Sequence, residues 1–138
     1  EQETPYHKGT GQARDKGQGK YKFKYIDDEQ CIIIDWELVI KDIVKDLKNS
    51  VKKPEISLKF HNAICSMIRE TCKLLRKRYK INKVCMSGGV FQNKYLLRRV
   101  KPMLEKAGFD VYGHKKIPTQ DGGIALGQVV LAYQRLHF

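Results

Sequence analysis

Large apolar residues are sparse through residue 20 and then fall into a succession of distinct periods. Tyr21-Lys22-Phe23-Lys24-Tyr25 alternates rings with lysines, the period of a half-buried strand, and Cys31-Ile32-Ile33-Ile34 is a second apolar strand beyond an Asp27-Asp28-Glu29 turn. A hairpin is expected. After Asp35, a helix cap, Trp36, Val39, Ile40, Ile43, Val44 and Leu47 recur at three- and four-residue steps up to Asn49. Pro54 opens the longest helix, striped by Phe60, Ala63, Ile64, Met67, Ile68, Thr71, Leu74 and Leu75. A short strand, Val84 to Met86, leads to a helix carrying Leu96, Leu97, Val100, Met103, Leu104 and Ala107, with Gly108 in the stop position and Pro102 predicting a kink or a late first turn. Phe109 to Tyr112 forms another strand, and Ile124, Leu126, Val129, Val130, Tyr133 and Leu136 mark a last helix. This order implies an α/β fold of parallel strands flanked by helices, with an N-terminal hairpin. Residues 1–20, broken by Gly9, Gly11, Gly17 and Gly19, read as a flexible lead-in to a lobe spanning 21–138.

Composition narrows the class. The 138 residues suffice for one domain with a core but not for a two-lobed kinase-like enzyme, so the chain reads as part of a larger protein. Cys31, Cys65, Cys72 and Cys85 lie in apolar segments without C-x-x-C spacing, which implies buried thiols in a reducing cytoplasm. The sequence has no apolar run of the roughly 20 residues a membrane span needs, and no leader is expected. Twenty-seven Lys and Arg against 15 Asp and Glu give a net charge of +12, enough to attract polyanions. The densest stretch, Lys73 to Lys80, reads first as a solvated helix end. Tyr79 and Tyr95 lie near basic residues, but the strand and zinc patterns of nucleic-acid readers are missing from the sequence.

Two glycine loops carry the candidate chemistry. Ser87-Gly88-Gly89-Val90-Phe91-Gln92-Asn93 joins a strand to a helix start, and Ile117-Pro118-Thr119-Gln120-Asp121-Gly122-Gly123 opens the last helix. Glycine pairs let the backbone turn sharply and approach a ligand, while the N–H groups of a helix start suit a phosphate or ribose. Alone, the first pair reads as a tight connection and Asp121 as an ordinary N-cap; together, the loops could face one cleft. Neither is a G-x-G-x-x-G or G-K-[ST] loop, and Ser87 lacks the G-x-S-x-G elbow and an assignable histidine and acid, which argues against an acyl nucleophile.

These loops, with Ala107-Gly108-Phe109, Asp121-Gly122-Gly123-Ile124-Ala125-Leu126-Gly127-Gln128 and the helical pair Phe60-His61, resemble the carboxyl-terminal end of the hydrogenase-maturation carbamoyltransferases (the HypF family) over about residues 58–134. The shorter Gly88-Gly89-Val90-x-x-Asn93 is also similar to tRNA threonylcarbamoyl transferases. The resemblance implies part of an actin-like (ribonuclease-H-like) ATPase lobe of sugar-kinase type. It implies that Gly88, Gly89 and Asn93 lie against ATP and that Asp121 ligates a divalent metal. The family's histidine ligands would come from a motif in an earlier part of the domain, which nothing in this sequence matches, and Pro118-Thr119-Gln120-Asp121 departs from the usual Pro-Pro-Asn-Asp. His61 and His114 receive no chemical role, and no catalytic residue is assigned. By resemblance, the intact enzyme uses carbamoyl phosphate and ATP to form carbamoyl-adenylate. It then passes the carbamoyl group to a cysteine of a maturation partner, for the cyanide ligands of a nickel-iron hydrogenase. This part alone is expected to be incomplete. Phe91-Gln92 favours this branch over a threonylcarbamoyl or antibiotic carbamoyltransferase; the reading of another class is a non-catalytic nucleotide- or nucleic-acid-binding module.

Overall fold

The structure, a computed structural model, describes residues 19–27, 31–117 and 121–137. Most of the expected lead-in and the expected Asp28-Glu29 turn lie outside them. Lys24–Asp27 (β1) and Ile32–Asp35 (β2) pair antiparallel, with Tyr25 opposite Ile34, as the hairpin reading requires. The alternation begins before the strand: Tyr21 is buried and Phe23 half-buried, while Lys22 and Lys24 are exposed.

Asp35 accepts a hydrogen bond from the Glu37 amide at 2.8 Å and so satisfies one donor of helix α1, Glu37–Lys48, which ends at Asn49. Its expected stripe is only half used. Val39 is fully buried and Ile43 partly so, but Ile40, Val44 and Leu47 stay exposed because the hairpin and helix α2 cover one side only. Helix α2, Lys53–Tyr79, has Pro54 in its first turn, where a missing N–H costs nothing, and stops at Lys80 in the left-handed region (φ 59°).

Two cores flank α2. Tyr21, Val39, Ile56 and Ala63 form the first. The second joins Cys65 of α2 to Met86, Leu96, Val100, Leu104 and Phe109, the apolar side of a strand-helix-strand unit: β3 (Lys83–Met86), α3 (Lys94–Lys106) and β4 (Asp110–Gly113). β3 and β4 are parallel and adjacent, with Met86 opposite Gly113. Helix α3 runs on through Pro102, which sits at an exposed position, and Gly108 terminates it with φ 81°, a conformation cheap only for glycine.

Two expectations are corrected. Cys65 is buried and Cys72 half-buried, and burial pushes both thiols up, but Cys31, which precedes β2, and Cys85, on the uncovered side of the two-stranded β3–β4 sheet, are exposed. The last helix, α4 (Ile124–His137), has the predicted apolar stripe yet buries no residue: Val129 is 64% and Leu136 80% exposed. Among the described residues, no helix is long and apolar enough to cross a membrane.

Candidate functional site

The first glycine turn begins where β3 ends. Continuing the β3–β4 register one step beyond Met86 and Gly113 sets Ser87 against His114, and Ser87 Oγ lies 2.9 Å from His114 Nε2. Gly88 then takes φ 97°, outside the range of L side chains, and a short 3₁₀ turn spans Gly89–Gln92 before α3 starts. The expected direct passage from glycine turn to α-helix is therefore corrected by one intervening turn. Phe91 anchors that turn by packing against the second core, and its amide donates to Gly88 O at 3.2 Å. A Cβ placed on Gly88 or Gly89 would meet no other atom within 4 Å. The turn thus presents bare backbone to open space, where a ligand can approach it closely.

Asn93 is the N-cap of α3. Its Oδ1 accepts from the amides of Tyr95 (3.0 Å) and Leu96 (3.3 Å), which fixes the amide's orientation and aims Nδ2 at His61 Nε2, 3.1 Å away. His61 Nδ1 lies 2.7 Å from Ser57 O. A carbonyl can only accept, so Nδ1 donates to Ser57 O and Nε2 is left to accept from Asn93. Asn93 keeps a second Nδ2 hydrogen for another acceptor. The rings of Trp36, Phe60, His61 and Tyr95 succeed one another at 6.3, 6.1 and 5.5 Å, linking the two cores beneath this cap.

Asp121 is exposed at the head of a second 3₁₀ turn, Asp121–Gly123, which leads into α4. Pro118 to Gln120 lie outside the described residues. Among the described residues, no three His, Cys, Asp or Glu side chains converge to hold a metal. One carboxylate does not make a stable site for a divalent ion, so the donors among the described residues do not by themselves fit the metal expected from the resemblance.

Lys73, Lys77 and Lys80 of the basic helix end are exposed, as a solvated end requires, while Arg76 is engaged. Arg76 donates to Ala107 O (3.0 Å) and Asn82 Oδ1 (3.2 Å) and lies over the Phe109 ring at 4.0 Å, clamping α2 to the end of α3. Further up, a groove of about 730 Å³ between α2 and α3 gathers Lys20, Arg69, Lys73, Arg99 and Lys106. Glu70 pairs with Arg69 and Lys73 there.

Three of these connections leave no local pattern in the sequence. The Ser87–His114 contact needs the β3–β4 register, the His61–Asn93 bond needs α2 packed against the turn, and the Arg76 clamp needs both helix ends. The matched Phe60-His61 pair was the one available signal for the second.

Comparison with known proteins agrees with this architecture. The family model "Carbamoyltransferase, Kae1-like Domain, second subdomain" matches residues 10–128. The carbamoyltransferase HypF of Synechocystis sp. is 34% identical over 106 residues, covering 77% of this chain and 13% of that protein. A probable carbamoyltransferase HypF of Methanocaldococcus jannaschii is 32% identical over 94 residues, 68% of this chain and 12% of the other. Among solved structures, full-length HypF in the phosphate- and nucleotide-bound form superposes with a TM-score of 0.81 at 40% identity, over 88% of this chain and 16% of that one. T. kodakarensis HypF, at 20% identity and a TM-score of 0.67, shares the fold. The chain spans between 12% and 15% of the length of the curated relatives it matches.

Proposed function

We propose, from the premise that this chain belongs to the HypF carbamoyltransferase family, that it forms one wall of the nucleotide site in an ATP-dependent carbamoyltransferase. In this reading the full-length enzyme consumes carbamoyl phosphate and ATP in the cytoplasm. It forms carbamoyl-adenylate and hands the carbamoyl group to a cysteine of a hydrogenase-maturation protein, toward the cyanide ligands of a nickel-iron centre. The observation that carries it is the bare glycine turn at the C-terminal end of β3, the edge at which open α/β sheets hold ligands. Gly88 and Gly89 lie against the nucleotide, and Asn93 offers its second Nδ2 hydrogen while its other bonds keep the turn in shape. Asp121 contributes a metal ligand only in company with donors from the rest of the enzyme.

Gly89→Val tests this. Its Cβ has open space, so the fold tolerates it, but the branched side chain occupies the ligand's approach. ATP and AMP should bind the full-length variant at least roughly tenfold more weakly, a loss of about 1.4 kcal/mol, at an unchanged melting temperature. Unchanged affinity would refute the site.

A second reading has one specific observation behind it. The groove of five cations between α2 and α3 suits a polyanion, and a non-catalytic module would bind RNA there with a steep salt dependence and no requirement for the glycine turn. Loss of RNA binding in Arg69→Ala/Lys106→Ala, with RNA affinity retained in Gly89→Val, would favour it.

A further inference from the structure

Ser87 and His114 are both exposed, so their 2.9 Å contact adds little to stability, yet it stands at the mouth of the bare glycine turn. The parallel register places the two residues side by side immediately beyond the last paired positions of β3 and β4. They come from segments 27 residues apart and converge on the C-terminal edge of the sheet. Lys115 and Lys116 follow His114 in the chain, and Lys94 opens α3 after the glycine turn. Cations on these adjoining segments favour the departure of an anion.

We infer that Ser87 and His114 form the proton relay of the transfer step, an inference that rests on the carbamoyl-transfer reading above. An ordinary cysteine titrates near pH 8.5, so a thiol acceptor arrives mostly protonated at neutral pH. Its attack on the carbonyl carbon of carbamoyl-adenylate therefore needs a proton acceptor, and imidazole has suitable basicity. In the step, the sulfur–carbon bond forms and the bond from that carbon to the adenylate phosphate oxygen breaks. AMP leaves with the electron pair. The thiol proton moves to Ser87 Oγ while the Ser87 hydroxyl proton moves to His114 Nε2, so serine ends unchanged and histidine carries the proton. Among the described residues no carboxylate is hydrogen-bonded to His114, which suits a relay better than a serine nucleophile.

The test uses the full-length protein, charged with carbamoyl-adenylate and mixed with a cysteine-containing peptide in single turnover. His114→Gln should slow transfer by roughly 10²–10⁴-fold and abolish the acid limb of its pH profile, with AMP affinity and adenylate formation as in the unaltered protein. Ser87→Ala should lose less, and Ser87→Thr should restore the rate. An aromatic thiol already ionised at neutral pH should react with His114→Gln and unaltered protein at similar rates, because it brings no proton to remove. Loss of AMP affinity in His114→Gln with no change in the transfer step would overturn the relay in favour of ligand binding. A carbamoyl group trapped on Ser87 would overturn it in favour of a nucleophile. Failure of the unaltered protein to form adenylate or bind nucleotide would instead overturn the carbamoyl-transfer reading itself.

Discussion

Helices α3 and α4 are nearly the same length, 13 and 14 residues, and each follows a glycine-containing 3₁₀ turn. They nevertheless end in opposite environments. α3 buries Leu96, Val100 and Leu104 against α2 and the parallel strands, whereas α4 is the more apolar of the two and buries nothing. The contrast shows that periodicity reports which face of a helix is apolar, while burial depends on what that face meets. For α3 the partners lie within the described residues. For α4, apolar and exposed, the described residues supply no such partner.

The largest test of the comparison is truncation in each helix. Leu104→Ala should cost about 2–5 kcal/mol in urea unfolding, since Leu104 is completely enclosed, whereas Leu136→Ala should change stability by less than about 0.5 kcal/mol in this chain. Equal losses would mean that α4 packs as α3 does. Arg76→Ala comes next. It removes a clamp of two hydrogen bonds and a ring contact between α2 and the end of α3, and should cost about 2 kcal/mol, read by the shift in urea midpoint. Asn93→Ala should cost about 1 kcal/mol through loss of the α3 cap, and amide exchange at Tyr95 and Leu96 should accelerate.

The smallest effect is on pH dependence and belongs to the first core. Tyr21 Oη donates to Asp46 Oδ2 at 2.8 Å and Lys59 Nζ lies 3.2 Å from the same oxygen. These two hydrogen bonds, Tyr21's first, hold the Asp46 carboxyl below its usual range. A lowered folded value means that the carboxylate stabilises the fold above the unfolded titration, near pH 4, and that this contribution is lost as pH falls through the folded value. Burial, then the bond to Asp46, pushes the Tyr21 hydroxyl up, so its contribution is present below about pH 10 and declines above it. Asp46→Asn should flatten the acid side of a plot of melting temperature against pH while leaving α3 unaffected.

The fold was legible where local chemistry decides it. Tyr21-to-Tyr25 alternation, Asn49, Pro54 and Gly108 all act within a turn of themselves, and the hairpin, helix order and parallel strands follow from them. Cys85 and Ile40 misled because apolar character marks a residue type and not a covered position; both are exposed. At the site, the glycine turn could be read because Gly88's positive φ and the bare approach leave a mark in the sequence. The pairing of Ser87 with His114 and of His61 with Asn93 could not, because strand register and helix packing bring together residues 27 and 32 positions apart.

If the turn following β3 is one wall of a nucleotide site, saturating AMP should slow hydrogen exchange of the full-length protein in the peptide covering 87–93, with no change in the centre of α2. Unaltered exchange at 87–93 in protein that demonstrably binds AMP would contradict it.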